Sequence, residues 1–499
     1  MATSIDRARA DVQAAFAKLL ARADEGGKCP FGEFETQTWT LLLALGRSLV
    51  VLFLLRAAQR PRAAEYAVGD ARYMLGPERE AALGTRFGKV VFARPVGRRI
   101  GQPRAACDLP VDRELGLCSG FSLGVVTDLA LLCAQTAFAA ARHTFRQFCG
   151  WVPSPRAVLR MVDAVGAKAR PFLEQAPAPE DDGEVLVIQV DGKGAPTISS
   201  RERRRRARPH RKAVDKGKNG RHERRGRRRE YPRLRRTSGK KAKNAKVAAV
   251  GVLYTLRQTP DGLDGPVNKR VYASFTTYRK LFTWLKAESV KRGYGTDKFS
   301  RVLFLADGAK VLWDLQQEFF PNVEACLDWY HVAEKLWAAG KALHREGTPA
   351  LEAWVGEQKL RLRRGSFDAL MTSLRAALDS TPRTGPGNKY RRQVLTKTIR
   401  HFDAHRHHMR YQRLRRLDLD IATGIVEGAV RHVIGVRMDG PGMRWGLDRL
   451  ECVLHLRCIF VNGMWEAFVG HLSEVPQLRL ASQPAPARTH DAKPVKQAA

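Results

Sequence analysis

VLVIQVDGKG (Val185–Gly194), RVLFLADGAKVLW (Arg301–Trp313) and VEACLDWYH (Val323–His331) each carry an apolar run that stops at an aspartate. Runs of this length bounded by turn residues are expected to be buried strands. Between them lie two more strand-like segments, VAAVGVLYTL (Val247–Leu256) and KRVYASFT (Lys269–Thr276). Two helical ones follow, YRKLFTWLKAESVKRG (Tyr278–Gly293) and AKVLWDLQQEFF (Ala309–Phe320). The expected order is β-β-β-α-β-α-β.

Asp191 follows the first strand, Asp307 ends the fourth, and Glu427 lies in the helical stretch TGIVEGAVRHVIGVRM (Thr423–Met438) beyond the last. Taken singly, an Asp-Gly after a strand is also a turn signal. Together the three occupy the places at which a ribonuclease-H-like fold brings carboxylates to one end of its sheet. Neighbouring carboxylates repel, and a pair of divalent ions about 3.5–4 Å apart resolves that repulsion while activating water and stabilising a leaving oxygen. Hard oxygen donors suit two Mg²⁺ or Mn²⁺ ions, not zinc. The fold class expected is α/β, a ribonuclease-H-like mixed-sheet catalytic core with a helical insertion, preceded by a mainly helical N-terminal DNA-binding region.

The segments VDGKG, LADGAKVLW, LDWYH and GIVEGAVRHVIGVRMDGPGMRW resemble those of insertion-sequence DDE transposases of the ISKra-type family, related to mutator-type enzymes with an Asp/Cys-x-x-His signature. The resemblance runs from about Phe34 to Val469. It implies Asp191, Asp307 and Glu427 as the catalytic and metal-binding triad, with Asp328 and His331 as the signature pair. It also implies that the helical residues 332–422 are an insertion, which the 120 positions between Asp307 and Glu427 accommodate. The activity implied is metal-dependent hydrolysis at terminal inverted repeats followed by strand transfer into target DNA. For Asp328 and His331 a structural role, a strand-end cap and a local hydrogen bond, is an equal alternative.

Charge agrees with a polyanionic partner. The 499 residues hold 87 Lys+Arg against 50 Asp+Glu, a net +37, and such an excess points to nucleic acid. Residues 201–246 alone carry 23 basic and 4 acidic residues, a net +19. Among them Arg203, Arg204, Arg205, Arg206, Arg224, Arg225, Arg227, Arg228 and Arg229 are expected to hold DNA backbone. Lys193 is a phosphate contact or a solvated lysine. Trp445, between Arg437 and Arg444, is a base-stacking residue flanked by phosphate-binding guanidiniums or a core tryptophan.

Upstream, the first eighty or so residues read as helices, followed by a short β-like stretch, Arg86–Ile100. The apolar run Thr40–Leu55 is interrupted by Arg47 and is shorter than the roughly 20 residues a bilayer requires, so no membrane partner is expected. Around Gly150 and Pro155 two helical patterns meet. They form either a helix-turn-helix reading DNA ends through Arg156 and Arg160, or two packed helices. Regions are expected at 1–105, 106–180, 181–330, 331–422 and 423–474, with a Pro/acid-rich linker near 174–185 and a disordered tail at 475–499. His405, His407 and His408 read as part of a solvated basic helix face. Eight cysteines without a C-x-x-C pair argue against zinc ribbons and disulfide frameworks. The N-terminal MATSIDRARADVQ lacks a signal-like apolar stretch, so the expected location is cytoplasmic and nucleoid-associated, as a homodimer or higher oligomer on double-stranded DNA. Two other functions fit the same features: a non-catalytic, domesticated nucleic-acid-binding protein, and a ribonuclease-H-like nuclease without strand transfer.

Overall fold

The computed structural model describes residues 5–102, 105–200, 202, 245–440, 443–474, 478 and 480. It divides into two compact units, 1–168 with 466–499, and 169–465. The nine arginines named between 203 and 229 lie outside the described residues, as does most of the tail beyond 474.

In the first unit α1 (Ile5–Asp24) and α2 (Phe31–Ala58) form a helical hairpin. The region read as helical ends sooner than its sequence suggests. β1 (Glu65–Val68), β2 (Ala71–Thr85) and β3 (Gly88–Arg99) make a three-stranded antiparallel sheet, of which the β-like stretch is one strand. Leu54, Leu55 and Ala58 of α2 pack with Leu83, Val90 and Phe92 of that sheet as one apolar cluster. After α3 (Pro110–Glu114) the stretch expected to hold two helices holds α4 (Leu123–Gln135), α5 (Phe138–Cys149) and α6 (Pro155–Gln175). Gly150 closes α5 at φ +71°, a conformation that favours glycine. Ser154 Oγ accepts the Ala157 N–H at 3.3 Å and starts α6. Trp151, in the turn between them, donates Nε1–H to the Thr85 carbonyl at 2.8 Å, which pins the turn to the sheet. Arg156 is exposed and Arg160 half-buried. Leu478 and Leu480, in the segment read as a disordered tail, are buried, and the Leu480 N–H meets Ser119 Oγ at 3.2 Å.

The second unit is a five-stranded mixed sheet with helices. β4 (Val185–Pro196), β5 (Ala245–Thr259) and β6 (Gly262–Ser274) pair antiparallel, while β7 (Arg301–Ala306) and β8 (Glu324–Leu327) join β4 in parallel, giving the order β6-β5-β4-β7-β8. Residues 185–190 are all buried, as a central strand covered on both faces requires. α7 (Tyr278–Arg292) covers one face. Gly251 lets it close in, because a Cβ there would lie 3.0 Å from Leu281 and 3.1 Å from Leu285.

The Pro/acid-rich linker is anchored at its acidic end. Asp182 is fully buried and paired with buried Arg292 at 3.3 Å, and Arg292 also meets Glu288. Beyond α8 (Lys310–Phe319) the chain runs through α9 (Trp329–Leu343), α10 (Pro349–Arg363), α11 (Phe367–Ser380), α12 (Asn388–Ala404) and α13 (Tyr411–Arg416). It returns as α14 (Gly424–Val430), extended by a π turn, Arg431–Gly435, and one last turn to Met438, before α15 (Leu447–Val461). Asn462 bonds both backbone groups of Val271 at 2.8 and 3.0 Å and so occupies part of the free edge of β6.

Candidate active site

Strand register builds the site. The parallel pairing runs to Val190 beside Ala306 and to Ala306 beside Leu327. The next residue on each chain segment is an aspartate, so Asp191, Asp307 and Asp328 stand side by side where the pairing ends. Adjacent strands are about 4.8 Å apart, which makes this a row of like charges.

Glu427 is brought to the row by two buried hydrogen bonds. Gln189, two residues before Asp191 and on its face of β4, accepts the Val426 N–H with Oε1 at 2.9 Å. Its Nε2 donates to the Tyr254 hydroxyl at 3.1 Å. Asp328 Oδ1 accepts the Thr423 N–H at 2.7 Å, which fixes the start of α14. The π turn follows Glu427 by one turn of helix, a distortion common at functional sites.

The electrostatics follow from burial, crowding and hydrogen bonding. Burial pushes the Asp191 carboxyl up, Asp307 and Asp328 push it further, and the Gly192 N–H at 2.6 Å and His331 oppose them. Glu427 is raised by burial and then by Asp328 and Asp191, against His331 and Thr423. Burial also works to raise Asp328, yet its hydrogen bonds with His331 and Thr423 outweigh it and leave the carboxyl below its usual range. Its Oδ2 accepts from both the backbone N–H and Nδ1 of His331, at 2.9 and 2.7 Å. That bond carries His331 up to about 9 against the effect of burial, so the imidazole is cationic at neutral pH.

Among the described residues, Asp328, His331 and Glu427 form the one group of three whose potential ligand atoms all lie within 4.8 Å of one another. The Asp-x-x-His pair therefore belongs to the site itself. Asp328 is at once the N-cap of α9 and the tie to α14.

Other side chains at the site carry weaker or no sequence signal. Gln189 is legible in retrospect, as the one polar residue in VLVIQV. Tyr278, at the start of α7, comes from the opposite face: a Cβ on Gly192 would lie 2.3 Å from its hydroxyl. Burial, then Asp307 and Asp191, push that phenol up to about 12. Asp307 Oδ1 accepts the Ala309 N–H at 2.9 Å, and its carbonyl accepts Trp313 Nε1–H at 2.9 Å. His401 packs on the neighbouring Gly308, where a Cβ would meet the ring at 2.0 Å.

Of the readings left open, Trp445 is a core residue and Lys193 is half-exposed; Arg437 as a DNA contact and the histidines as a solvated face are corrected. Trp445 is buried, donates Nε1–H to the Met438 carbonyl at 3.1 Å, and is fastened through its backbone to Pro196 and Ile198 at the end of β4. Arg437, also buried, lies 4.6 Å over the Trp445 ring. The Trp445 backbone holds the end of β4 and both side chains are buried, whereas Arg444 is exposed. Lys193, on the same face as Asp191, is half-exposed with Nζ 3.9 Å from Asp439. The histidines are not a solvated face: His405 is buried and His408 stacks on Trp313 at 3.9 Å, which leaves His407 outside.

No family model matches the chain, and no curated protein matches it. Among solved structures it is similar to a Drosophila P element transposase strand transfer complex, at 10% identity and a TM-score of 0.28, over 68% of this chain and 92% of that one. A likeness that slight carries no weight, and the functional reading rests on the residues.

Proposed function

We propose that the second unit is the ribonuclease-H-like catalytic core of a DNA transposase, cutting phosphodiesters at the ends of its element and joining the freed 3′ hydroxyls to target DNA. The observation that carries the reading is the row of Asp191, Asp307 and Asp328 at the end of three parallel strands, with Glu427 tied to the same place through Gln189 and Asp328.

Asp191, Asp307 and Glu427 offer the hard oxygen donors that Mg²⁺ or Mn²⁺ require, and burial, followed by the neighbouring carboxylates, pushes Asp191 and Glu427 up. Such ions, when bound, supply an activated water and neutralise charge on the leaving oxygen. Asp328 is a positioning residue, because both its oxygens are occupied in holding His331 and the start of α14. His331 presents a positive charge to the same pocket of carboxylates, and Lys193 lies near enough to hold a backbone phosphate.

The substrate assignment to DNA rests on charge and its address. β4 and β5 pair to Pro196 and Ala245, so the intervening segment, which holds 22 basic residues, leaves and rejoins the sheet five residues beyond Asp191. That arrangement favours double-stranded DNA as partner, with a nucleoid location following from it, and joining two ends calls for a homodimer or higher oligomer. The helix-turn-helix-like α5–α6, with Arg156 exposed, is our proposal for the end-recognition element.

Incubating the protein with labelled inverted-repeat DNA and Mg²⁺ tests the reading. Asp307→Asn is expected to lower cleavage and strand transfer together by about a hundredfold to a thousandfold, the scale of losing a group that stabilises the transition state. A variant that cuts as well as the wild type overturns the catalytic role of Asp307, and a wild type that binds the DNA without cutting it is a nucleic-acid-binding protein. Cleavage without joined products identifies a nuclease.

A further inference from the structure

Gln189 is a fully buried amide between two fully buried neighbours, Val426 and Tyr254, and only one of its two orientations works. Val426 offers an N–H, so the amide oxygen must face it. Turned over, the amide would set its NH2 group against that N–H, leaving donor against donor where each unmet group is costly.

The orientation is chosen at the other end. A tyrosine hydroxyl both donates and accepts, so taken alone it suits either orientation of the amide. Tyr254 stands opposite Val187 on β5, which puts its ring on the face of the sheet that carries Gln189. Its O–H donates to Asp420 Oδ2 at 3.1 Å, and the hydroxyl oxygen accepts from Gln189 Nε2 at 3.1 Å. A carboxylate only accepts, so Asp420 takes the one hydrogen that the hydroxyl has and leaves Gln189 to donate. Burial, then Asp420, push the phenol up, which keeps that hydrogen on it.

Asp420 lies in the strap, residues 417–423, that returns the chain from the insertion to α14. The strap has other fastenings. Asp418 Oδ2 accepts the Leu263 N–H at 2.8 Å, the Ile421 carbonyl accepts the Trp329 N–H at 3.0 Å, and the Thr423 N–H meets Asp328. Asp420 is exposed, and its carboxylate is not needed to hold the strap down. Its hydrogen bond is directed inward, to Tyr254.

We propose that Asp420 and Tyr254 are positioning residues for Glu427: acting through Gln189, they set the direction of a hydrogen-bond relay that ends on the N–H of the residue before it. What Glu427 does rests on the transposase reading, but the relay is tested without DNA or metal.

The experiment reverses the relay. In Asp420→Ala the hydroxyl is free to donate to Gln189 and turn it over. In Gln189→Glu two carboxylates compete for one hydrogen. In the double variant Asp420→Ala, Gln189→Glu the new carboxyl accepts from both the Tyr254 hydroxyl and the Val426 N–H, and every group is met again. Hydrogen–deuterium exchange of the full chain is read by mass spectrometry on peptides covering Val426. Each single variant is expected to exchange there about tenfold faster than the wild type, the scale of one buried hydrogen bond, and the double variant more slowly than either. Cleavage of inverted-repeat DNA with Mg²⁺ is expected to follow the same order, the double variant cutting about tenfold faster than either single one, because the two sites are coupled. Tyr254→Phe adds no buried charge and gives a second cycle. It is expected to match Asp420→Ala, and combining the two is expected to change nothing further, since Asp420 acts through the hydroxyl. Losses that simply add in the first double variant, or an Asp420→Ala that loosens Tyr254→Phe further, overturn the proposal. The expected exchange pattern in a protein whose wild type does not cut supports the relay and overturns the transposase reading.

Discussion

Two groups of titratable side chains meet at Asp307, and they are built on opposite principles. On the sheet, Asp191, Asp307 and Asp328 are placed side by side with Glu427 beside them, so charge is concentrated and Asp191 and Glu427 are pushed up. On the helical insertion, burial pushes His401 down to about 3 and His408 to about 4, and lowers His405 as well. His401 Nε2, His405 Nδ1 and His408 Nδ1 are buried without a hydrogen-bond partner. These imidazoles are neutral packing groups, wedged on Gly308 and Trp313, while His331 is the cationic one. The difference teaches that the insertion is held against the second aspartate mainly by packed neutral rings, with one hydrogen bond from His405 to the Gly308 backbone, whereas the carboxylates are held by register and a network of hydrogen bonds. Among the histidines here, the one that carries a positive charge is the one that Asp328 supports.

The sharpest way to break that contrast is Asp328→Ala. It strips acceptors from the buried Thr423 N–H and from both nitrogens of His331 that it now holds. A loss of about 2–4 kcal/mol is expected, from a cap and an unmet buried donor together. In the same variant the His331 titration, followed by NMR, should move from about 9 back toward 6.5. An unmoved titration would assign the raised value to the other carboxylates. Gly308→Ala tests the insertion side. Its Cβ would lie 2.0 Å from His401 Cε1, so the ring must swing away, at a cost of about 1–3 kcal/mol by chemical denaturation. A neutral outcome would mean that the ring is free to move and that shape is not what holds the insertion.

The sequence made the acidic side legible and the histidine side opaque. Asp191, Asp307 and Asp328 each follow an apolar run, so their places at strand ends follow from local pattern, while the row itself comes from the parallel register of the three strands. Glu427 needed the order of elements as well. The histidines depend on how helices of the insertion pack on Trp313, which no local periodicity encodes, and among so many arginines they look like a wet face. Arg437 misled for a related reason: a basic residue beside an aromatic reads as a nucleic-acid surface, yet a guanidinium stacked on an indole is equally at home in a core, the alternative already open for Trp445. Gln189 was visible as a polar interruption, but its partner Val426 is 237 positions away.

The smallest effect expected is also the one that separates the two principles most cleanly. Burial, with His405, His407 and Arg410 adding to it, holds His408 at about 4 in the folded chain, below the ordinary 6.5. The unfolded chain therefore binds the proton first as pH falls, so the stability tied to this neutral ring is complete above pH 6.5 and is lost as pH drops toward 4. His401 and His455, both held at about 3, add losses of the same sign. His408→Phe keeps a ring to stack on Trp313 and removes the proton site. Its Tm, measured against the wild type, should gain by a few degrees between pH 7 and pH 4.5. A constant difference across that range would mean that the His408 ring is protonated or solvated in the folded protein. The insertion would then be held by charge after all.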